Sequence, residues 1–155
     1  HKSKQLGYTP DLIQAGRILN ESMPKFVCDE YIRMLGRTKV PSGSRCLLAG
    51  VTFKANCPDL RNSKVPELEA LLSAYGVSVD VYDPHASQAE YQSKFKNELY
   101  NHIPSDKIYD GVIICVDHQE FIDMNIAEWQ KMLTEDHLIF DLKAIYSKHQ
   151  SHFRL

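Results

Sequence analysis

Two cations, Lys54 and Arg61, stand seven residues apart in the polar run FKANCPDLRNSK, Phe53 to Lys64. The run follows an apolar stretch, Cys46-Leu47-Leu48-Ala49-Gly50-Val51, and precedes a pattern of helical period. A loop between the carboxyl end of a strand and the amino end of a helix is where open α/β sheets bind ligands. The helix start offers free backbone N–H groups and the positive end of a dipole. Lys and Arg add charge-assisted hydrogen bonds, and Arg can hold two oxygens at once. Asn56, Asn62 and Ser63 supply neutral donors. The combination points to an anion site suited to a phosphorylated ligand. The competing assignment makes both cations solvated surface charges, with Asp59 an internal partner for Arg61.

Other side chains offer less. Cys57 is the one cysteine in a polar loop, and a nucleophilic thiol wants the cationic neighbourhood that Lys54 and Arg61 supply. No histidine base is local to it, so catalysis by Cys57 is the lesser alternative. Asp83 follows the run VSVDVY, where dinucleotide-binding folds place an acid on ribose hydroxyls. Asp83-Pro84 is also a turn signal, and without a glycine fingerprint the turn is favoured. His118, in VDHQEF, stands after a strand-like run and is read as a loop residue capping the next segment. Asp141 and Lys143 close a later run at the same edge, which makes Lys143 a further candidate for the Lys54 ligand. His149 and His152 lie in a polar tail with no further ligand, and no CxxC pair exists, so no metal site is expected.

The elements that must position these residues follow from periodicity. Residues 10 to 35 read as a long helix, with Leu12, Ala15, Leu19, Met23, Phe26 and Val27 at spacings of three and four. Thr9 can cap it, with Pro10 and Asp11 in the first turn. Pro24 predicts a kink or two abutting helices. Ile13, Ile18, Tyr31, Ile32 and Leu35 put apolar residues on further faces, so the helix needs more than one packing partner. Residues 37–44 form a Gly/Pro/Ser linker. Beyond it, Arg45 to Gly50 reads as a buried strand, Lys64 to Tyr75 as a helix capped by Ser63 and ended by Gly76, and Val77 to Tyr82 as a strand. Gln88 to Tyr100 is helical in part, Gly111 to Val116 a buried strand, Ile126 to Leu133 a helix and Leu138 to Leu142 the last strand. Strands alternating with helices imply an α/β fold, a Rossmann-like parallel sheet with helices on both faces, preceded by the long Pro-kinked helix. The domains expected are a helix over 1–36, a linker over 37–44 and a Rossmann-like domain over 45–155.

Composition narrows the class. The chain has 155 residues, 43% apolar and 25% charged, with net charge −2, which gives no global field for nucleic acid. No apolar run reaches the roughly 20 residues a bilayer span needs. The cysteine usage fits a reducing cytoplasm. The start, HKSKQLGYTP, lacks a signal-peptide core and reads as the interior of a longer protein. GxGxxG is absent from the first strand-to-helix turn, so a complete NAD-binding unit is not expected.

The run LLAGVTFKANCPDLRNSKVPELEALLSAYGVSVDVYDP, Leu47 to Pro84, resembles the carboxy-terminal domain of the UDP-glucose/GDP-mannose dehydrogenase family. Its NCPDLRNSKV is most similar to the UDP-N-acetylhexosamine 6-dehydrogenases of bacterial surface-polysaccharide synthesis. LGYTPDLIQAGRILNESMPKFV, Leu6 to Val27, is similar to the family's central helix, which links two Rossmann-like domains and builds the dimer. VIICVDHQEF and LIFDLKAIY match later strand-edge segments more loosely. The resemblance implies that the full-length protein oxidises the C6 alcohol of a UDP-sugar to a carboxylate in two hydride transfers to NAD. It implies that Lys54 and Lys143 contact the UDP-sugar, that Arg61 reaches the cofactor, and that residues 10–35 make a homodimer. NAD would be bound mainly by an amino-terminal domain, and the catalytic cysteine is expected upstream of His1, so this chain alone should not turn over. The family's glycine after the DLK lysine is Ala144 here. A free-standing nucleotide-binding or regulatory module, with no catalytic partner, is the alternative.

Overall fold

The computed structural model describes the backbone from residue 11 and the side chains from residue 13 to residue 155. The Thr9 cap, Pro10 and the Leu12 side chain therefore lie outside the described residues. Five strands form one sheet in the order β2-β1-β3-β4-β5, and every pairing is parallel. They are β1 (Arg45–Ala49), β2 (Ser78–Tyr82), β3 (Tyr109–Ile114), β4 (Leu133–Asp141) and β5 (Phe153–Arg154). The helices are α1 (Asp11–Leu35), α2 (Val65–Ala74), α3 (Gln88–Phe95), α4 (Gln119–Asp123) and α5 (Ile126–Gln130). This is a Rossmann-like α/β layer arrangement, as the alternation of periods predicts.

The alternation of side chains along each strand builds two cores. Cys46, Leu48, Val81, Ile113 and Phe140 join residues of α1, α2 and α3 on one face. Leu47, Ala49, Tyr82, Val112, Ile114 and Ile139 join Phe121 of α4 and Trp129 of α5 on the other. Strands buried on both faces read as continuous apolar runs, which is why β1 and β3 are recognisable from sequence.

Helix α1 runs as one element through Pro24, so the alternative of two abutting helices is not adopted. Its carboxyl half packs into the first core through Val27, Cys28, Tyr31 and Leu35. Its amino half is exposed, including Ile13, Ile18 and Leu19. Proline has no N–H, so Pro24 cannot make the helical bond to the Asn20 carbonyl.

Several boundaries differ from expectation. The N-cap of α2 is Lys64, not Ser63, and it makes no side-chain cap bond. Pro66 sits in the first turn and has no N–H to be capped; the Ser63 hydroxyl accepts instead from Val65 N at 3.3 Å. Gly76 does follow the helix end, at φ +82°. Strand β3 starts earlier than Gly111 because Asp110 is satisfied, by the Lys39 ammonium and the Arg45 amide. It also stops at Ile114, leaving Cys115 and Val116 in the following loop. Helix α5 ends at Gln130 because Leu133 is drawn into pairing with Tyr109. Strand β4 thus begins at Leu133 rather than Leu138, with a register shift against β3 between Tyr109 and Gly111. It is not the last strand, since Phe153 and Arg154 add β5 beside Phe140 and Asp141.

Candidate functional site

The strand order reverses direction at β1, whose neighbours are β2 on one side and β3 on the other. Ligands of open α/β sheets bind at such a switch point, outside the carboxyl ends of the strands. The loops after β1 and β3 meet there. Gly50 closes β1 at φ +89°, and a Cβ at that position would stand 2.6 Å from Val116 Cβ, so only glycine lets the two loops approach this closely.

Asp83, just past β2, holds the start of the β1 loop. Its Oδ2 accepts from Val51 N at 2.7 Å, Thr52 N at 3.1 Å and His118 Nε2 at 3.0 Å. Its Oδ1 accepts from His85 N at 2.8 Å and Ala86 N at 2.9 Å. The side chain is fully buried. Burial alone would raise its pKa, but the hydrogen bonds from His118 and Val51 outweigh it and hold the carboxyl at about 2. With both oxygens occupied by the chain's own donors, Asp83 is a turn-holding carboxylate, the assignment that the Asp-Pro signal favoured. His118 departs from its expected part: it occupies the N-cap of α4 but makes no side-chain cap bond there. Its buried ring reaches back instead, and Nδ1 accepts from Asn56 N at 3.0 Å.

A second buried aspartate works the same way at the end of β4. Asp141 accepts from Lys143 N and Ile145 N, each at 3.2 Å, and from Tyr146 N at 2.8 Å. It thereby fixes the turn that carries Lys143. Ala144, in that turn, sits at φ +56°, a left-handed conformation that favours glycine.

Between these loops and α1 lies a cavity of about 580 Å³. Its walls include Asn20, Met23, Pro24 and Val27 of α1, Phe53 and Lys54 of the β1 loop, and Asn62, Ser63 and Lys64 at the start of α2. Cys115, Val116, Asp117, Lys143 and Leu155 line it as well. Lys54 and Lys143, 89 positions apart, thus line one hollow. Lys64, not singled out from sequence, lines it too, and pairs with Glu67 at 3.3 Å.

Arg61 is elsewhere. Its guanidinium is 78% exposed and forms a two-pronged pair with Asp59, Nε to Oδ1 at 2.9 Å and Nη2 to Oδ2 at 2.7 Å. The Arg61 hydrogen bonds hold the Asp59 carboxyl down at about 2. Cys57 is half-buried and does not line the cavity. Cys115 does, but burial pushes its thiol up to about 12, which keeps it protonated at neutral pH. His152 Nδ1 accepts from Ile139 N at 3.0 Å, tying the tail to β4. The roles of Asp141 and His118 as braces, and the reach of Asp83 to the β1 loop and to His118, were not visible from sequence; their one shared signal is position, each at or past the carboxyl end of a strand.

The turn after β1 offers no cradle for a dinucleotide pyrophosphate. Gly50 is its only glycine, and Val116 already fills the space beside it. Among the described residues, no helix is long and apolar enough to cross a membrane.

Residues 47–148 match the model of the UDP-binding domain of the UDP-glucose/GDP-mannose dehydrogenase family. A UDP-N-acetyl-D-glucosamine 6-dehydrogenase of Pseudomonas aeruginosa is 38% identical over the whole chain, and Protein CapL of Staphylococcus aureus is 32% identical over 94% of it. The UDP-N-acetyl-mannosamine dehydrogenase Cap5O of Staphylococcus aureus superposes with a TM-score of 0.72 at 26% identity, covering 93% of this chain and 32% of that one. A UDP-D-ManNAc dehydrogenase from Pyrococcus horikoshii shares the fold with a TM-score of 0.76 at 22% identity, covering 98% of this chain and 35% of that one. The chain spans 37% and 34% of the length of the two sequence relatives.

Proposed function

Because the chain belongs to the UDP-glucose/GDP-mannose dehydrogenase family, we propose that it binds the UDP portion of a UDP-sugar as part of an NAD-dependent 6-dehydrogenase. The observation that carries this reading is the cavity at the switch point, where Lys54, Lys64 and Lys143 line one wall system with Asn62 and Ser63. A pyrophosphate needs cations and N–H donors together, and the start of α2 adds its backbone to the lysines. Lys54 and Lys143 are assigned to the UDP-sugar. Arg61, solvent-facing and held by Asp59, is assigned to the cofactor side. The name of the Pseudomonas aeruginosa relative supports a UDP-N-acetylhexosamine as substrate; a uronic acid product destined for surface polysaccharide, and a cytoplasmic setting, are part of the same proposal.

The complete reaction would convert the sugar C6 alcohol to a carboxylate with two NAD. This chain's described residues do not fit the main NAD site, since no glycine cradle exists after β1. They also supply no suited thiol: burial raises Cys28 to about 11, raises Cys46 further and raises Cys115 to about 12, while Cys57 lies outside the cavity. The catalytic cysteine and the NAD domain are therefore assigned to a longer protein, about three times this length by its relatives, which cover 37% and 34%. The apolar amino half of α1 is assigned to a homodimer contact.

Titration of the ¹⁵N-labelled chain with UDP tests the reading. Saturable shifts at Lys54, Ser63 and Lys143 are expected at millimolar UDP, with much smaller ones for NAD. Millimolar UDP that moves no cavity resonance would overturn it.

A further inference from the structure

We propose that His118 is a positioning residue that latches the Lys54 loop across the switch point, through the hydrogen bond that its Nδ1 accepts from Asn56. The inference rests on the UDP-binding reading of the cavity.

The ring is fully buried, and both its nitrogens are committed. Nδ1 faces a backbone N–H, that of Asn56, so it carries no proton and serves as acceptor. Nε2 faces the Asp83 carboxylate at 3.0 Å, so the proton is there. Thr52 Oγ1 lies 3.3 Å from the same nitrogen while donating to the Lys54 carbonyl at 3.0 Å. Asn56 answers with its side chain, whose Oδ1 accepts from Gln119 N at 2.9 Å. Residues 118 and 119 thus grip both ends of Asn56. Asn56 sits at φ 55°, a strained conformation that Asn tolerates and that this pair of bonds helps to hold.

Little else fixes this stretch. Phe53 N donates to Asp59 O at 2.8 Å, closing the loop on itself rather than on the sheet. The Phe53 and Lys54 side chains are exposed. The direction in which Lys54 enters the cavity is therefore set from its two flanks, by Asp83 holding Val51 and Thr52 and by His118 holding Asn56. His85, His118 and Glu120 also place potential ligand atoms within 4.8 Å of one another. His118 has no free nitrogen for a metal while it makes these bonds, and His85 Nε2 is paired with the Glu120 carboxylate at 3.1 Å.

Two substitutions separate the latch from mere packing. His118→Asn keeps an acceptor where Nδ1 stood and loses the Asp83 bond. His118→Gln keeps a donor toward Asp83 and loses the acceptor. Both remove a ring that packs edge-on to Phe121 at 5.1 Å, so both should lower Tm. Calorimetric titration of the chain with UDP should find H118N within about threefold of wild type and H118Q weaker by about tenfold or more. Amide hydrogen exchange should show lost protection at Phe53 and Gln119 in H118Q only, although no atom of those two bonds is altered. The inference is overturned if H118Q retains UDP affinity and loop protection, or if both variants lose affinity in step with Tm. If the wild-type chain binds no UDP, the UDP reading fails, and the exchange comparison still decides the latch.

Discussion

Replacing Asp83 by Asn is the most exacting perturbation of this site, since it changes one atom. The carboxylate accepts three donors on Oδ2 and two on Oδ1. An asparagine keeps one acceptor oxygen, and in its better orientation turns its NH₂ against His85 N and Ala86 N. Two orphaned donors, one buried and one part-buried, cost roughly 1–3 kcal/mol each, which puts the loss at about 3 kcal/mol after partial relaxation. The depressed carboxyl pKa, which those same bonds cause, gives a second figure. A fall from 3.8 unfolded to about 2 folded is worth about 2.5 kcal/mol. The folded pKa is the depressed one, so this stability is present above about pH 4 and is lost as pH falls through the folded value. Urea unfolding at pH 7 should therefore find Asp83→Asn about 3 kcal/mol less stable. Its acid limb between about pH 4 and pH 2 should be shallower than wild type by Asp83's share. A variant within about 1 kcal/mol of wild type at pH 7, or one with an unchanged acid limb, would refute the brace.

Three further outcomes are expected. Ala144→Gly relieves a left-handed alanine at φ +56°, and should stabilise the chain by about 0.5–1 kcal/mol in urea unfolding. Gly111→Ala would place a Cβ 2.5 Å from the Tyr31 hydroxyl, in the middle of the first core, and should cost about 2 kcal/mol or more; adding Tyr31→Phe should recover part of that in a double-mutant cycle. In UDP titrations, Lys54→Ala should weaken binding by about tenfold while Cys57→Ala leaves it unchanged, because Lys54 lines the cavity and Cys57 does not.

Where a strand is apolar on both faces, its sequence announces it. Cys46 to Ala49 and Val112 to Ile114 do so, and the loop between β1 and α2 could be placed from them. Strand β4 hides its first half, because Thr134 to His137 are polar and its register slips against β3. Strand β5 is two residues in a polar tail, too short for any period to show. Of the cavity lysines, Lys54 and Lys143 were legible because each follows a strand, and Lys64 was not. What tied them in place was not. Asp83 and His118 meet across 35 positions, and His118 and Asn56 across 62, so no local spacing records either contact. Arg61 and Asp59 are two residues apart, and that pair was open to reading as an internal partnership.

Pro24 has an effect that reaches past the shape of its helix. Asn20 and Pro24 both line the cavity, and the Asn20 carbonyl, directed along the helix toward position 24, has no amide to meet there. One turn of the helix beside the cavity therefore carries a main-chain acceptor that its own helix leaves without the usual donor. Because it belongs to the backbone, exchanging the side chain at position 20 leaves it in place. What removes it is any residue at position 24 that brings back an N–H. The imino acid thus alters its helix by what it withholds, and drift at neighbouring side chains cannot undo it.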